Sequence, residues 1–217
     1  MTRNSSGIIW GAAITLFLGS SVYSQTTELR FQDLTINNGL SSNTIKCVIQ
    51  DSRGFIWLGT PNGLNKYDGY GFTVYRNEPG EAGVTSCLDI LSIFEDSRGD
   101  IWVGTKSCGV YIYDREKDKV ARFVFNNDST KRFNIYNVRA ILEDSAGRVW
   151  IGTEDGLYSF RQKTGERAYY QHDRNDSTSL SHPTIYSILQ DRKNRLWVGT
   201  HNGLHLFDQK TGRFRRY

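Results

Sequence analysis

Four aspartates in this sequence of 217 residues, Asp51, Asp96, Asp144 and Asp191, are each followed six residues later by a tryptophan: Trp57, Trp102, Trp150 and Trp197. Carboxylates invite proton transfer or cation binding. Acid–base work needs a carboxylate poised against a reacting group, and Ca²⁺ needs six or more oxygens at about 2.5 Å. One carboxylate per repeat, spaced around a repeating structure, converges on neither. Three residues after each Asp stands Gly54, Gly99, Gly147 or Asn194, residue types that tolerate positive φ. The stretch therefore predicts a β-hairpin loop whose Asp accepts hydrogen bonds from the turn amides.

The remaining chemistry-bearing residues are sparse. His172, His182, His201 and His205 form no ligand motif. His201 and His205 are four apart, but Asn202-Gly203 between them reads as a turn, so a zinc pair on one helix face is not expected. Cys47 falls in a column of small residues and is explained by packing. Cys87 and Cys108 fall on loops of one face, where an exported chain permits a disulfide, and three cysteines leave one over. No phosphate loop, nucleophile elbow or converging carboxylate pair occurs, so no catalytic residue, metal or cofactor is expected. The candidates that remain are loop tips. In "TPNG", "TKSCG", "TEDG" and "THNG", Asn62, Lys106, Glu154 and His201 hold comparable places and differ in every repeat. Such a polar rim suits a sugar.

Strands must position these tips. The Trp residues are 45, 48 and 47 apart, a period that in an all-β chain means propeller blades. Six residues before each Asp stands Ile45, Ile90, Val138 or Ile185, and four before it the small Cys47, Ser92, Ala140 or Ser187. These mark an innermost strand approached closely by a neighbour. The second strand, "IWLG", "IWVG", "VWIG" or "LWVG", carries consecutive large apolar residues and is buried on both faces, as between blades. A third strand opens with Gly-Leu or Gly-Val, and an outer one is polar-aromatic. The expected fold is all-β, four-stranded antiparallel blades at about 37–80, 81–127, 128–173 and 174–217, with 29–36 as a closing outer strand. Because "RFRRY" also ends its repeat as an outer strand, two strands compete for one slot. This predicts part of a larger propeller, with a closed four-bladed ring as the alternative.

Composition excludes little but points one way. The 27 basic and 23 acidic residues are interspersed, and no nucleic-acid-binding motif accompanies the net charge. The cluster Arg213, Arg215, Arg216 reads as a solvated strand face. Residues 1–24 pair Arg3 with a short apolar run ending in "GSSVYSQ", a signal peptide with cleavage expected after Ser24. The run is shorter than the ~20 residues a spanning helix needs, so an exported chain is expected.

The order "GLSSNTIKCVIQDSRGFIWLGTPNGLNKYDGYGFTVYRNEPG" resembles the first blade of the two-component regulator propeller family, and the likeness extends over residues 29–217. The resemblance implies the periplasmic sensor region of a hybrid two-component protein, seven-bladed, of the Bacteroidetes type. It implies, as partners, a downstream immunoglobulin-like domain, a transmembrane helix and a histidine kinase, with an oligosaccharide ligand and a homodimeric parent. The kinase motifs have no counterpart here. The alternatives are a secreted propeller enzyme acting on polysaccharide and a protein-interaction platform without a small ligand.

Overall fold

The computed structural model describes residues 31–76, 89–123 and 135–217. Residues 1–24 and Cys87 lie outside them. Residues Leu34–Tyr217 form one compact unit, built from four antiparallel sheets of four strands, each in simple up-and-down order. Blade 1 is β1 (Cys47–Gln50), β2 (Ile56–Thr60), β3 (Gly63–Tyr67) and β4 (Phe72–Tyr75). Blade 2 is β5 (Ile90–Glu95), β6 (Ile101–Thr105), β7 (Val110–Asp114) and β8 (Lys119–Arg122). Blade 3 is β9 (Ala140–Glu143), β10 (Arg148–Gly152), β11 (Leu157–Arg161) and β12 (Arg167–Tyr170). Blade 4 is β13 (Ile185–Gln190), β14 (Leu196–Thr200), β15 (Gly203–Asp208) and β16 (Arg213–Arg216). No α-helix occurs among the described residues, and none of their segments is a helix long and apolar enough to cross a membrane.

Each first hairpin is built as its sequence dictates. Gly54, Gly99, Gly147 and Asn194 have φ of 91°, 84°, 71° and 58°, the left-handed region in all four. The Asp does more than cap the turn. One oxygen of Asp144 accepts from the Ala146 and Arg148 amides at 2.9 and 3.0 Å, and the other accepts from Trp150 Nε1 at 2.7 Å. The same indole bond joins Trp57 to Asp51, Trp102 to Asp96 and Trp197 to Asp191, at 2.8, 2.9 and 2.9 Å. The repeated carboxylate is thus a clamp that fixes the largest side chain of its blade.

Blades meet by a plug and a socket. The ideal Cβ of an alanine at Gly104 would lie 2.5 Å from Val138 Cγ1, and one at Gly59 or Gly152 would strike Ile90 or Ile185. The aliphatic side chain opening each blade therefore fills the space over the glycine of the blade before it. A latch closes each seam: the Ser52, Ser97 and Ser145 amides donate to the side chains of Glu95, Glu143 and Gln190 of the following blade, at 2.7, 2.6 and 2.8 Å. Trp57, Trp102 and Trp150 lie buried in the three resulting cores. Burying one large aromatic contributes on the order of 3–5 kcal/mol against truncation.

The four blades form an open arc rather than a closed ring. Ile45 is 39% exposed while its equivalents Ile90, Val138 and Ile185 are buried, and Trp197 alone of the four repeat tryptophans is only half-buried. Of residues 29–36, expected as an outer strand, the described 31–36 form no strand, and Phe31 and Leu34 are exposed. The overlay that prompted that expectation does hold further on. Leu40 and Leu180 are both buried, and the next residue of each repeats one contact: the Ser41 amide donates to Asn65 Oδ1 and the Ser181 amide to His205 Nε2.

Candidate ligand site at the axial mouth

The loops joining the second and third strands of each blade lie on one face, opposite the Asp hairpins. They bring Lys106 and Glu154 together at a cavity of about 430 Å³ that is also lined by Lys46, Leu91, Asn137, Arg139 and Tyr186. Asn62 and His201 do not line it. The Asn62 side chain donates instead to the Ser41 carbonyl at 3.3 Å. His201 directly follows Thr200, as Lys106 and Glu154 follow their Thr, but its Nδ1 is 3.4 Å from the Tyr186 hydroxyl and its ring 4.9 Å from that of His182.

Lys46, Leu91, Arg139 and Tyr186 are one position seen four times, the residue after each plug. The plug turns into the preceding blade, so the next side chain turns away from it toward the axis. At Leu91 and Tyr186 the ladder with the second strand also slips by one residue, between Ile90 and Ser92 and between Ile185 and Ser187. Such bulges redirect a side chain without ending the strand. This inner ring was missed from sequence. Its signal was there, a position with four different residues inside an otherwise repetitive strand.

Charge in the mouth is partly paired. Arg139 Nη2 donates to Glu154 Oε1 at 2.5 Å, and its guanidinium lies 5.1 Å from the centroid of the Tyr186 ring. Arg139 Nε is buried without a hydrogen-bond partner among the described residues. Lys46 pairs with Asp89, and the Lys106 ammonium has no ion-pair partner among the described residues. Asn137 is held at φ 51°, its amide donating to the Lys106 carbonyl at 2.7 Å. The lining thus offers three cations, one carboxylate, an amide and an exposed aromatic ring, suited to a polar, hydroxyl-rich ligand.

Elsewhere the described polar residues are engaged in the scaffold. A larger depression, about 740 Å³, lies on the hairpin side, but its lining includes Asp144, Gly147, Ser97 and Glu143, all occupied in clamps and latches. No group of three metal-ligating side chains occurs among the described residues. His205 is buried, accepting the Ser181 amide at Nε2 with Nδ1 facing the Val198 carbonyl. Cys47 is a free thiol whose burial pushes its pKa up to about 11, leaving it protonated. Cys108 is disulfide-bonded, while Cys87 is outside the described residues.

Comparisons with known proteins agree with this architecture. Histidine kinase P4 of Formosa agariphila is 35% identical over 74 residues, which is 34% of this chain and 5% of the kinase. The extracellular domain of B. thetaiotaomicron BT4673, described as a hybrid two component system, superposes with a TM-score of 0.64 at 26% identity, covering 79% of this chain and 21% of that one. Virginiamycin B lyase from Staphylococcus aureus superposes at 0.56 with 15% identity, over 78% of this chain and 54% of the lyase, a likeness of fold alone. The chain thus spans a small fraction of the sensor proteins it matches. The sequence profile of the two component regulator propeller matches four times, at residues 39–62, 85–107, 133–155 and 179–202. One match falls on the first half of each blade, and the chain belongs to the two component regulator propeller repeat family.

Proposed function

We propose that this chain is the extracytoplasmic, ligand-sensing part of a hybrid two-component signalling protein, that its ligand is an oligosaccharide seated in the axial mouth, and that occupancy controls a histidine kinase elsewhere in the parent. The kinase, an immunoglobulin-like connector, a transmembrane helix and dimerisation of the parent belong to the same reading, as does delivery by the signal peptide at 1–24. The observation that carries it is the inner ring of Lys46, Leu91, Arg139 and Tyr186, converging on one cavity in a chain of regulator repeats. Support for export comes from similarity to an extracellular domain.

Tyr186 supplies a flat apolar face for a sugar ring. Lys46 and Arg139 are paired with Asp89 and Glu154, so the cation left over, Lys106, favours acidic over neutral sugars. Titration calorimetry of the whole extracytoplasmic region with a uronic-acid oligosaccharide and its carboxyl-reduced form tests this. Binding is expected for the acidic sugar, with affinity lost in Tyr186→Ala and Lys106→Ala at an unchanged melting temperature. Binding that survives both substitutions would place the ligand elsewhere.

A further inference from the structure

The bonding of Arg139 in the axial mouth is half complete. An arginine offers a carboxylate a side-on fork, in which Nε–H and one Nη2–H point the same way and take one oxygen each. Here Glu154 Oε1 occupies the Nη2 prong at 2.5 Å, and the Nε prong is buried without a partner among the described residues. A buried donor left unpaired is costly, so a second oxygen at this fork would relieve it. The two members of the pair are not equally fixed. Arg139 stands at the entry to β9, its amide donating to the Gly152 carbonyl at 2.9 Å and its guanidinium lying over the ring of Tyr186 in blade 4. Glu154 rides the tip of the β10–β11 loop, and its side chain is 42% exposed. That loop is held by its backbone and by two threonines. The Thr153 amide donates to the Gly156 carbonyl at 3.0 Å, the Asp155 amide to Thr153 Oγ1 at 3.2 Å, and Thr184 Oγ1 to the Glu154 carbonyl at 3.3 Å. None of these bonds uses the Glu154 carboxylate, which can swing away without unmaking the loop.

We infer that Glu154 is a resident stand-in for the ligand: its carboxylate holds one prong of Arg139, and the carboxylate of an acidic sugar displaces it to take both. The inference rests on the reading of the mouth as an acidic-sugar site, and it assigns the residues that set the specificity of that site. Lys106 draws the anion in. Arg139 then reads its shape, because a planar carboxylate matches two parallel N–H groups and a sugar hydroxyl does not. The exchange breaks one ion pair and forms another, so its gain is the added hydrogen bond to Nε. A neutral sugar has nothing to trade for Glu154 and leaves the pair closed. Because Arg139 and Glu154 belong to blade 3 and Tyr186 to blade 4, a ligand held by the fork and stacked on the ring touches both blades.

Glu154→Gln tests the exchange, since it keeps the shape of the side chain and removes the charge that competes with the ligand. Titration calorimetry of the whole extracytoplasmic region compares it with the wild type, using a uronic-acid oligosaccharide and its carboxyl-reduced form. The acidic sugar is expected to bind at least about threefold more tightly to Glu154→Gln, the scale of a partly exposed ion pair, with no gain for the reduced form. Equal affinity of the two proteins for the acidic sugar overturns the inference. So does an equal gain for the reduced sugar, which would make Glu154 an obstacle of size rather than a rival carboxylate. If the acidic sugar binds neither protein, the acidic-sugar reading fails and sodium acetate decides the exchange. Its titration is followed at the Arg139 resonance of protein labelled with ¹⁵Nε-arginine, assigned through Arg139→Lys. A shift of that resonance at lower acetate concentration in Glu154→Gln than in the wild type upholds displacement at the fork. An equal response, or none, overturns it.

Discussion

Asp144→Asn should separate the clamp from the turn. The Asn carbonyl oxygen can still accept the Ala146 and Arg148 amides, but its NH₂ group would face the Trp150 indole N–H, which now points at another donor. Trp150 is 1% exposed, so water cannot replace the lost acceptor. A hydrogen bond to a charged group contributes about 1.5–3 kcal/mol, and a buried donor left unpaired costs about 1–3. Because the two overlap, the expected loss is roughly 2–4 kcal/mol. Urea unfolding followed by circular dichroism reads it as a lowered midpoint at constant slope. The decisive measurement is the cycle with Trp150→Phe, which has no N–H to strand. In that background Asp144→Asn should cost little, giving a coupling energy of about 1.5–3 kcal/mol. If the two substitutions add within about 0.5 kcal/mol, Asp144 stabilises the hairpin alone and the clamp is refuted. Asp191→Asn should cost less than Asp144→Asn, because Trp197 sits half-exposed on the open face and its N–H can reach water.

Gly104→Ala places a methyl group 2.2 Å from Ser92 Oγ and 2.8 Å from the Val138 carbonyl oxygen. Thermal unfolding should show a loss of about 1–3 kcal/mol from overpacking at the seam. Acid titration should proceed in two stages. His205 has its pKa lowered, chiefly by burial, so its contribution is full above the ordinary histidine value of ~6.5 and is lost as pH falls below it. Replacing His205 by the residue blade 1 uses there, His205→Asn, should abolish that first stage in pH-dependent melting. The second stage belongs to the clamps. Burial opposes ionisation of Asp51 and Asp96, but hydrogen bonds from Trp57, Trp102 and the turn amides outweigh it and hold both below the ordinary carboxylate value. Their stabilisation is full above ~3.9 and is lost as pH falls through the lower folded values; it should persist in His205→Asn.

Repetition made the scaffold legible. Four Asp-to-Trp spacings, the Gly-to-Asn exchange at one turn position and the column of Cys47, Ser92, Ala140 and Ser187 each specify a local geometry, and the structure has all of them. The indole-to-carboxylate bond was hidden because a spacing of six residues across a hairpin does not say that two side chains meet. The mouth was half legible. Lys106 and Glu154 reach it from loops of suitable length, whereas Asn62 is turned onto the Ser41 carbonyl and His201 rests against His182. The inner ring was obscured because its residues sit at the starts of hydrophobic strands, where alternation, and at Leu91 and Tyr186 a bulge, decide which way a side chain points. His205 was hidden for a related reason: it replaces Asn65 as a neutral acceptor, an equivalence of hydrogen bonding rather than of residue type.

The clamp also gives the arc a direction in time. Trp57, Trp102 and Trp150 are each held by their own blade, and the blade that follows completes their burial. A chain delivered from its N-terminus therefore always carries one uncovered indole face at its growing end, and each new blade both hides the previous tryptophan and exposes its own. Assembly by such steps is vectorial, like courses of brick laid from one side. At every pause, the newest Trp face is the surface that a chaperone would meet.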